Sequence, residues 1–270
     1  MLTFLSATPQ AGWGFWRWVA FFIANKYPEF ISGAGITLLI SITGTVIGFL
    51  IGLLIGVIKT IPLRPNDAKI KIIFLKILRG LLQIYIEIFR GTPMMVQAMV
   101  IFYGLATAGL QLNRIFAGIL IVSINTGAYM SEIVRGGIES IDKGQFEAAH
   151  TLGMSHGKTM FNIILPQTIR NILPATGNEF VINIKDTSVL SVISVTELFF
   201  ASKSIAGTYV AYFQTMTITC AIYFVLTFTV TRILRLLEKK IDGPSSYTIY
   251  GSSTSPESTI KVKGGETNAR

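Results

Sequence analysis

Residues 32–58 read SGAGITLLISITGTVIGFLIGLLIGVI, a stretch without one ionisable side chain. A helix that crosses a bilayer needs about 20 consecutive apolar residues, because hydrocarbon offers no water to satisfy an open backbone hydrogen bond. This stretch is long enough, and it sets the class: a helical, membrane-embedded chain. The composition agrees. Of 270 residues, 51% are hydrophobic and only 14% charged, and the mean hydropathy is +0.58. A soluble surface is built with about 25% charged residues, and a mainly disordered chain needs more charge still. The single cysteine, Cys220, excludes a disulfide framework and a cysteine-rich metal site.

The same rule marks residues 93–113, 115–131 (extending helically to about Arg135) and 204–231 as further spans. Residues 178–202 are apolar in bulk but carry Glu179, Lys185, Asp186 and Glu197, as expected of a span that faces protein or water. The expected fold is all-α and multi-pass, with about five spans. Cytoplasmic loops carry the excess of lysine and arginine. With the N-terminus outside and the C-terminus cytoplasmic, the basic residues between Lys59 and Arg79, those between Arg135 and Arg170, and the Arg232 to Lys240 cluster fall inside. Arg17, Lys26, Arg114 and Lys203 are left outside. Topology thus accounts for the net charge of +9 without a nucleic-acid partner.

Residues 1–30 lack the basic start of a cleaved signal and are rich in interfacial aromatics such as Trp13, Trp16 and Trp18, so they read as a short helix at the outer headgroup level. Residues 31–241 form the transmembrane domain, with a long cytoplasmic loop at about 136–177. Residues 242–270, rich in Ser, Gly and Thr, read as a disordered cytoplasmic tail. Residues 69–90, apolar runs broken by charges, read as an inner-face lead-in to the second span, and the span count stays open by one. Thr92-Pro93 interrupts the helix there, since proline lacks a donor and restricts its predecessor.

Several features bear on chemistry. Gly44, Gly48, Gly52 and Gly56 recur every fourth residue and lay a smooth seam along one face of the first span, suited to close helix packing within the chain or with a second one. The run from Gly153 to Thr159 looks like a phosphate-binding loop, but three residues rather than four separate Gly153 from Gly157-Lys158-Thr159, and no buried strand precedes it. ATP is therefore expected on a partner subunit, with no cofactor and no catalytic residue in this chain. His150 and His156 lack the companions a metal site needs, so no metal is expected. Cys220 lies in an apolar span, where a thiol behaves as a small hydrophobe.

The 136–177 loop is long enough for structure of its own. Residues 145–152 form one helical run, Gly153 permits a turn, and 158–165 form a second run ended by Pro166. Within it stand Glu147-Ala148-Ala149, three residues, Gly153, nine residues, then Ile163, Leu165 and Pro166. This pattern resembles the signature of the membrane-spanning permease subunits of ABC importers, and every fixed position matches. The stretches 87–93 (EIFRGTP), 125–129 (NTGAY), 132–138 (EIVRGGI), 178–180 (NEF) and 185–188 (KDTS) narrow the resemblance to the polar amino-acid permeases, over roughly 33–240.

The resemblance implies that Glu147, Ala148, Ala149, Gly153, Ile163, Leu165 and Pro166 couple to a separate ABC ATPase subunit. It also implies a second permease subunit, identical or not, an extracytoplasmic amino-acid-binding protein, and a place in a bacterial cytoplasmic membrane. The expected function is transport of a polar amino acid, glutamine- or glutamate-like or basic. For the path, Glu179 and Asp186 stand seven residues apart and share one helix face, where they offer negative charge to an ammonium group. Lys185 points elsewhere, and the set reads equally as path lining or as a structural charge network. Gln97 and Asn125 offer further hydrogen bonds inside apolar helices, and Glu132, Arg135 and Glu139 are spaced to pair along one helix. Two rival readings are an ion-coupled secondary transporter or channel, with Glu179 and Asp186 as its ion site, and a non-transporting scaffold built on the glycine seam.

Overall fold

The computed structural model describes residues 12–65 and 67–241, together with two short strands beyond them. Ten α-helices occur among the described residues: α1 (Phe15–Asn25), α2 (Tyr27–Thr60), α3 (Lys69–Gly91), α4 (Met94–Thr107), α5 (Arg114–Glu139), α6 (Lys143–Thr151), α7 (His156–Thr159), α8 (Leu165–Asp186), α9 (Leu198–Tyr209) and α10 (Tyr212–Ile241). A π turn, Met160–Ile164, joins α7 to α8, and a 3-10 stretch, Thr187–Ile193, follows α8.

The glycine seam organises the bundle. A β-carbon on Gly44 would lie 2.5 Å from a Val122 methyl, one on Gly48 2.7 Å from Thr126 Cβ, and one on Gly56 2.5 Å from a Val134 methyl, while one on Gly52 would meet Met130. The partners on α5 are themselves four apart, so each residue of one row seats in a gap of the other. Removal of the side chain lets the backbones approach and gains dispersion contacts that a larger residue would forbid. The seam is therefore occupied within this chain.

That pairing also sets directions. Partner numbers on α2 and α5 rise together, so the two helices run parallel, and α3 with α4 must return across the bundle between them. Met130 meets Thr176 and Thr126 meets Asn183, so α8 runs antiparallel to α5. Gly177 meets Leu234 and Glu197 meets Tyr223, so α10 reverses again. The long elements thus alternate in direction from α5 to α8 to α10. Three helices, α2, α5 and α10, are each long and apolar enough to cross a membrane, and the α8 to α9 pair, bent by 54°, adds a fourth segment. Its core stacks in three layers: Phe22, Phe30 and Leu198 at one end, Ile40, Ile121 and Leu190 in the middle, and Val134, Met160 and Ile164 at the other.

Several expected boundaries move. The break at Thr92-Pro93 falls where expected, with Thr92 extended ahead of Pro93, but the second span is shorter than 93–113: α4 ends at Thr107 after 14 residues. The last span does not begin at residue 204. The chain breaks at Val210, which takes a left-handed φ of 52°, and α10 starts at Tyr212. Pro166 does not end a helix: it occupies the first turn of α8, where a missing donor costs nothing, and the π turn before it bonds Leu165 N–H to Met160 O. Helix α1 does more than lie at an interface, since Phe22 is fully buried and Trp18 nearly so against α9 and α10. Within the tail, Tyr247–Tyr250 pairs antiparallel with Thr259–Val262, and the rest of 242–270 lies outside the described residues, as do residues 1–11.

Candidate functional site

Mid-height of the bundle is marked by a buried polar knot. Asn183 Nδ2 donates to Thr45 Oγ1 at 2.8 Å and to Thr126 Oγ1 at 3.0 Å, joining α8 to the middles of α2 and α5. Buried amides and hydroxyls are costly unless paired, so this knot fixes the rotation of α8. Glu179 and Asp186 flank Asn183 by four and three residues, which places them about 6 Å and about 4.5 Å along the axis to either side of it. Both are half-buried at the margin of the packed face. Lys185 is exposed about 100° further round, on the side of α10, where it shares a shallow groove with Phe224, Arg232 and Arg235.

Among the described residues, Glu179, Asp186, Lys185 and Arg90 form no ion pair and no side-chain hydrogen bond. Arg90, near the end of α3, holds its guanidinium carbon 5.5 Å from the ring centre of Tyr129 on α5. Glu179 lies within electrostatic range of both Asp186 and Arg90. Glu179, Asp186 and Lys185 form no ion pair with one another. Four unpaired charges near mid-height are costly in an apolar setting, and such residues mark solute pathways.

Gln97 and Asn125 are placed differently. Asn125 Nδ2 donates to Gln97 Oε1 at 2.9 Å, and Gln97 Nε2 donates to Phe89 O, Thr92 O and Thr92 Oγ1 at 3.0, 2.9 and 2.8 Å. They satisfy carbonyls that the Pro93 break leaves without intrahelical donors. Their polar groups are already engaged. Glu132, Arg135 and Glu139 pair along α5 at 2.9 and 2.7 Å, and Glu132 also takes Lys59 at 2.6 Å, tying α5 to the end of α2.

The loop pattern splits into two roles. Ala149 and Leu165 are buried and Ile163 half-buried, packing the loop onto Ile138 and Ile164 beneath it. Glu147, Ala148, Gly153 and Pro166 are exposed. Asp142 caps α6 by accepting from Gly144 N–H, and Gly153 turns with a φ of +75°, which explains the glycine. Two residues the pattern omits stand out: Leu152 is 80% exposed and Phe161 69% exposed. In the sequence each stands within two residues of a fixed position of the pattern, Leu152 beside Gly153 and Phe161 two before Ile163. His150 and His156 belong to no metal-capable cluster among the described residues, and Cys220 lies on the outer surface of α10.

Glu197 escaped notice as more than a charge in an apolar stretch. It is fully buried, accepts from Phe199 N–H at 2.8 Å and Phe200 N–H at 2.7 Å, and receives Tyr223 Oη–H at 3.0 Å. It caps α9 and pins the bend to α10.

A parallel glycine-packed helix pair, a return pass broken at a proline, a protruding two-helix loop and unpaired charges at mid-height together define a membrane transport subunit. Residues 68–243 match the family described as binding-protein-dependent transport system inner membrane component, and the chain belongs to that family. It is 34% identical to the arginine transport system permease protein ArtQ of Bacillus subtilis (strain 168), over 80% of this chain and 94% of that protein. It is 38% identical to the L-cystine transport system permease protein TcyB of the same strain, over 61% of this chain and 71% of that protein. A solved amino acid ABC transporter with histidines aligns with a TM-score of 0.69 at 38% identity, covering 81% of this chain and 96% of that one. Members of such transporters work with an ATPase and a second permease subunit, and the apolar helices place this chain in a membrane.

Proposed function

We propose that this chain is the permease subunit of an ATP-driven importer of a polar amino acid in a bacterial cytoplasmic membrane. The observation that carries this reading is the loop from Glu147 to Pro166, whose buried half is packed on the bundle and whose exposed half is free to dock. Rigid attachment lets a push on the loop reach α5 and α8 rather than dissipate. Glu147, Ala148 and Gly153, with Leu152 and Phe161, form the surface offered to the ATPase, and ATP is bound there and not on this chain.

Five passes with the α2 start outside and the α10 end inside put most of the basic residues on the cytoplasmic side. An amino-acid-binding protein docks outside, a second permease completes the path, and Glu179, Asp186 and Lys185 line it. The unpaired state of these charges supports path lining over structural pairing. The relatives' names, arginine and L-cystine permeases, support an amino-acid substrate.

Gentle purification from the native membrane with mass spectrometry of what accompanies the chain tests the partners, and uptake by proteoliposomes tests the energy source. A co-purifying ATPase and uptake that needs ATP are expected. A chain that comes alone and moves solute on an ion gradient without ATP would overturn the reading in favour of ion-coupled transport.

A further inference from the structure

We propose that the cytoplasmic half of α10 carries a site for an anionic phospholipid of the inner leaflet, with Arg232 and Arg235 on its phosphate and Phe224 and Phe228 along an acyl chain. These four residues line one groove of about 240 Å³, closed on its other side by Val181 of α8. At about 100° per residue, Phe224, Phe228, Arg232, Arg235 and Lys239 fall within one arc of about 80° and form a stripe about 22 Å long. It is aromatic toward mid-height and basic toward the cytoplasmic end. All five side chains are exposed, and α10 is the least buried of the three long spans, so the stripe faces out of the bundle.

The depth fits a headgroup. Leu234 packs on Gly177, whose neighbour Thr176 meets Met130, and Met130 faces Gly52. Gly52 stands seven residues beyond Thr45 of the mid-height knot, about 10 Å toward the end of α2. One leaflet of hydrocarbon is about 15 Å thick, so Arg232 and Arg235 begin about 5 Å short of the headgroups, within reach of a guanidinium whose stem lies in the apolar layer. That this end is cytoplasmic rests on the orientation proposed above. The charges are not spent inside the chain. Arg232 rests over Phe228 at 4.9 Å, which orients its plane without using the N–H fork. Among the described residues no carboxylate pairs with Arg232, Arg235 or Lys239, and Glu238 one turn below is no exception. An arginine fork matches a phosphate through two parallel hydrogen bonds, and basic clusters at the cytoplasmic end of a span attract anionic lipid. The two rings above the arginines offer an acyl chain a surface that a soluble anion would not use. Lys185, at the top of the groove, stands two residues past Asn183 and so near mid-height, too far from the headgroups to share this phosphate.

Native mass spectrometry of the complete detergent-purified transporter, titrated with phosphatidylglycerol and phosphatidylcholine of the same chain length, counts the lipid that stays bound. The wild type is expected to retain phosphatidylglycerol in preference. Arg232→Gln combined with Arg235→Gln should weaken that binding about tenfold or more, and Arg235→Gln alone should lose part of it. Lys69→Gln combined with Lys76→Gln removes two exposed cations from the same end of the bundle and should change nothing. Equal loss in the two double variants, or equal retention of the two lipids by the wild type, would overturn the site in favour of diffuse charge. Displacement of the bound lipid by glycerol 3-phosphate would give the arginines to a soluble anion instead. If the arginine double variant sheds the second permease subunit while its lipid retention is unchanged, this face is a subunit contact and the proposal fails. Lys239 and Lys240 remain in every variant to hold the orientation. Thermal unfolding, expected to match the wild type because both arginines are exposed, keeps a folding defect from passing as lost binding.

Discussion

The face of α2 that meets α5 and the margin of α8 that carries Glu179 and Asp186 lie at the same height in the bundle and obey opposite rules. On the first, side chains have been removed until backbones touch, and nothing is left unpaired. On the second, charges are placed where a membrane protein has most reason to avoid them, and they are given no partner. The contrast separates what holds the molecule together from what it does: a seam with no slack can afford no change, whereas unpaired charges contribute little to folding and are kept for another purpose.

Substitutions can break or sharpen that contrast. The largest effect is expected on the seam. Gly48→Leu or Gly52→Leu must push α5 away along its length, costing about 1–3 kcal/mol or more and with it the yield of folded protein. Gly104→Leu, with nothing within 4 Å of its β-carbon, should be neutral in the same unfolding scan. A seam variant as stable as the wild type would mean that α2 and α5 are not packed this way.

Next in size is the knot that aims the charged margin. Asn183→Leu leaves the Thr45 and Thr126 hydroxyls without their partner and should lose about 1–3 kcal/mol, read as a lower melting temperature, with uptake impaired in proportion. Asp186→Asn should do the reverse, lowering uptake by about tenfold, near the ~1.4 kcal/mol of one charge-assisted contact, with the melting temperature unchanged. Lost assembly instead would return Asp186 to a structural role.

On the loop, Glu147→Arg should leave the isolated permease as stable as before, because Glu147 is exposed, yet release the ATPase in a pull-down. Leu152→Ser should weaken the same attachment without unfolding, and retention of the ATPase by both variants would remove this surface from the docking site. The smallest effect is expected at Arg135→Gln, whose pairs with Glu132 and Glu139 are partly exposed and worth about 0–1 kcal/mol.

Much of this was legible in the residues. The span at 32–58, the first loop helix, the turn at Gly153 and the pairing of Glu132, Arg135 and Glu139 follow from local periodicity and spacing, which act over a few residues. Gln97 and Asn125 show the limit. As polar residues in apolar helices they suggest a path, but only the fold shows that they satisfy carbonyls freed by Pro93. Glu197 shows it again, since an acid in an apolar stretch reads alike whether it meets solute or, as here, caps a buried helix.

By itself the sequence determined that the chain is built of membrane-type helices and where the long charge-free stretches lie, because hydropathy and helical periodicity are properties of neighbouring residues. The tertiary structure alone decided that the glycine seam serves α2 and α5 of one chain, that the helix breaks fall at Val210 and after Asp186, and that Arg90 lies against Tyr129 of α5. Those outcomes depend on which backbones approach and which polar groups then find partners, and residues far apart along the chain settle both.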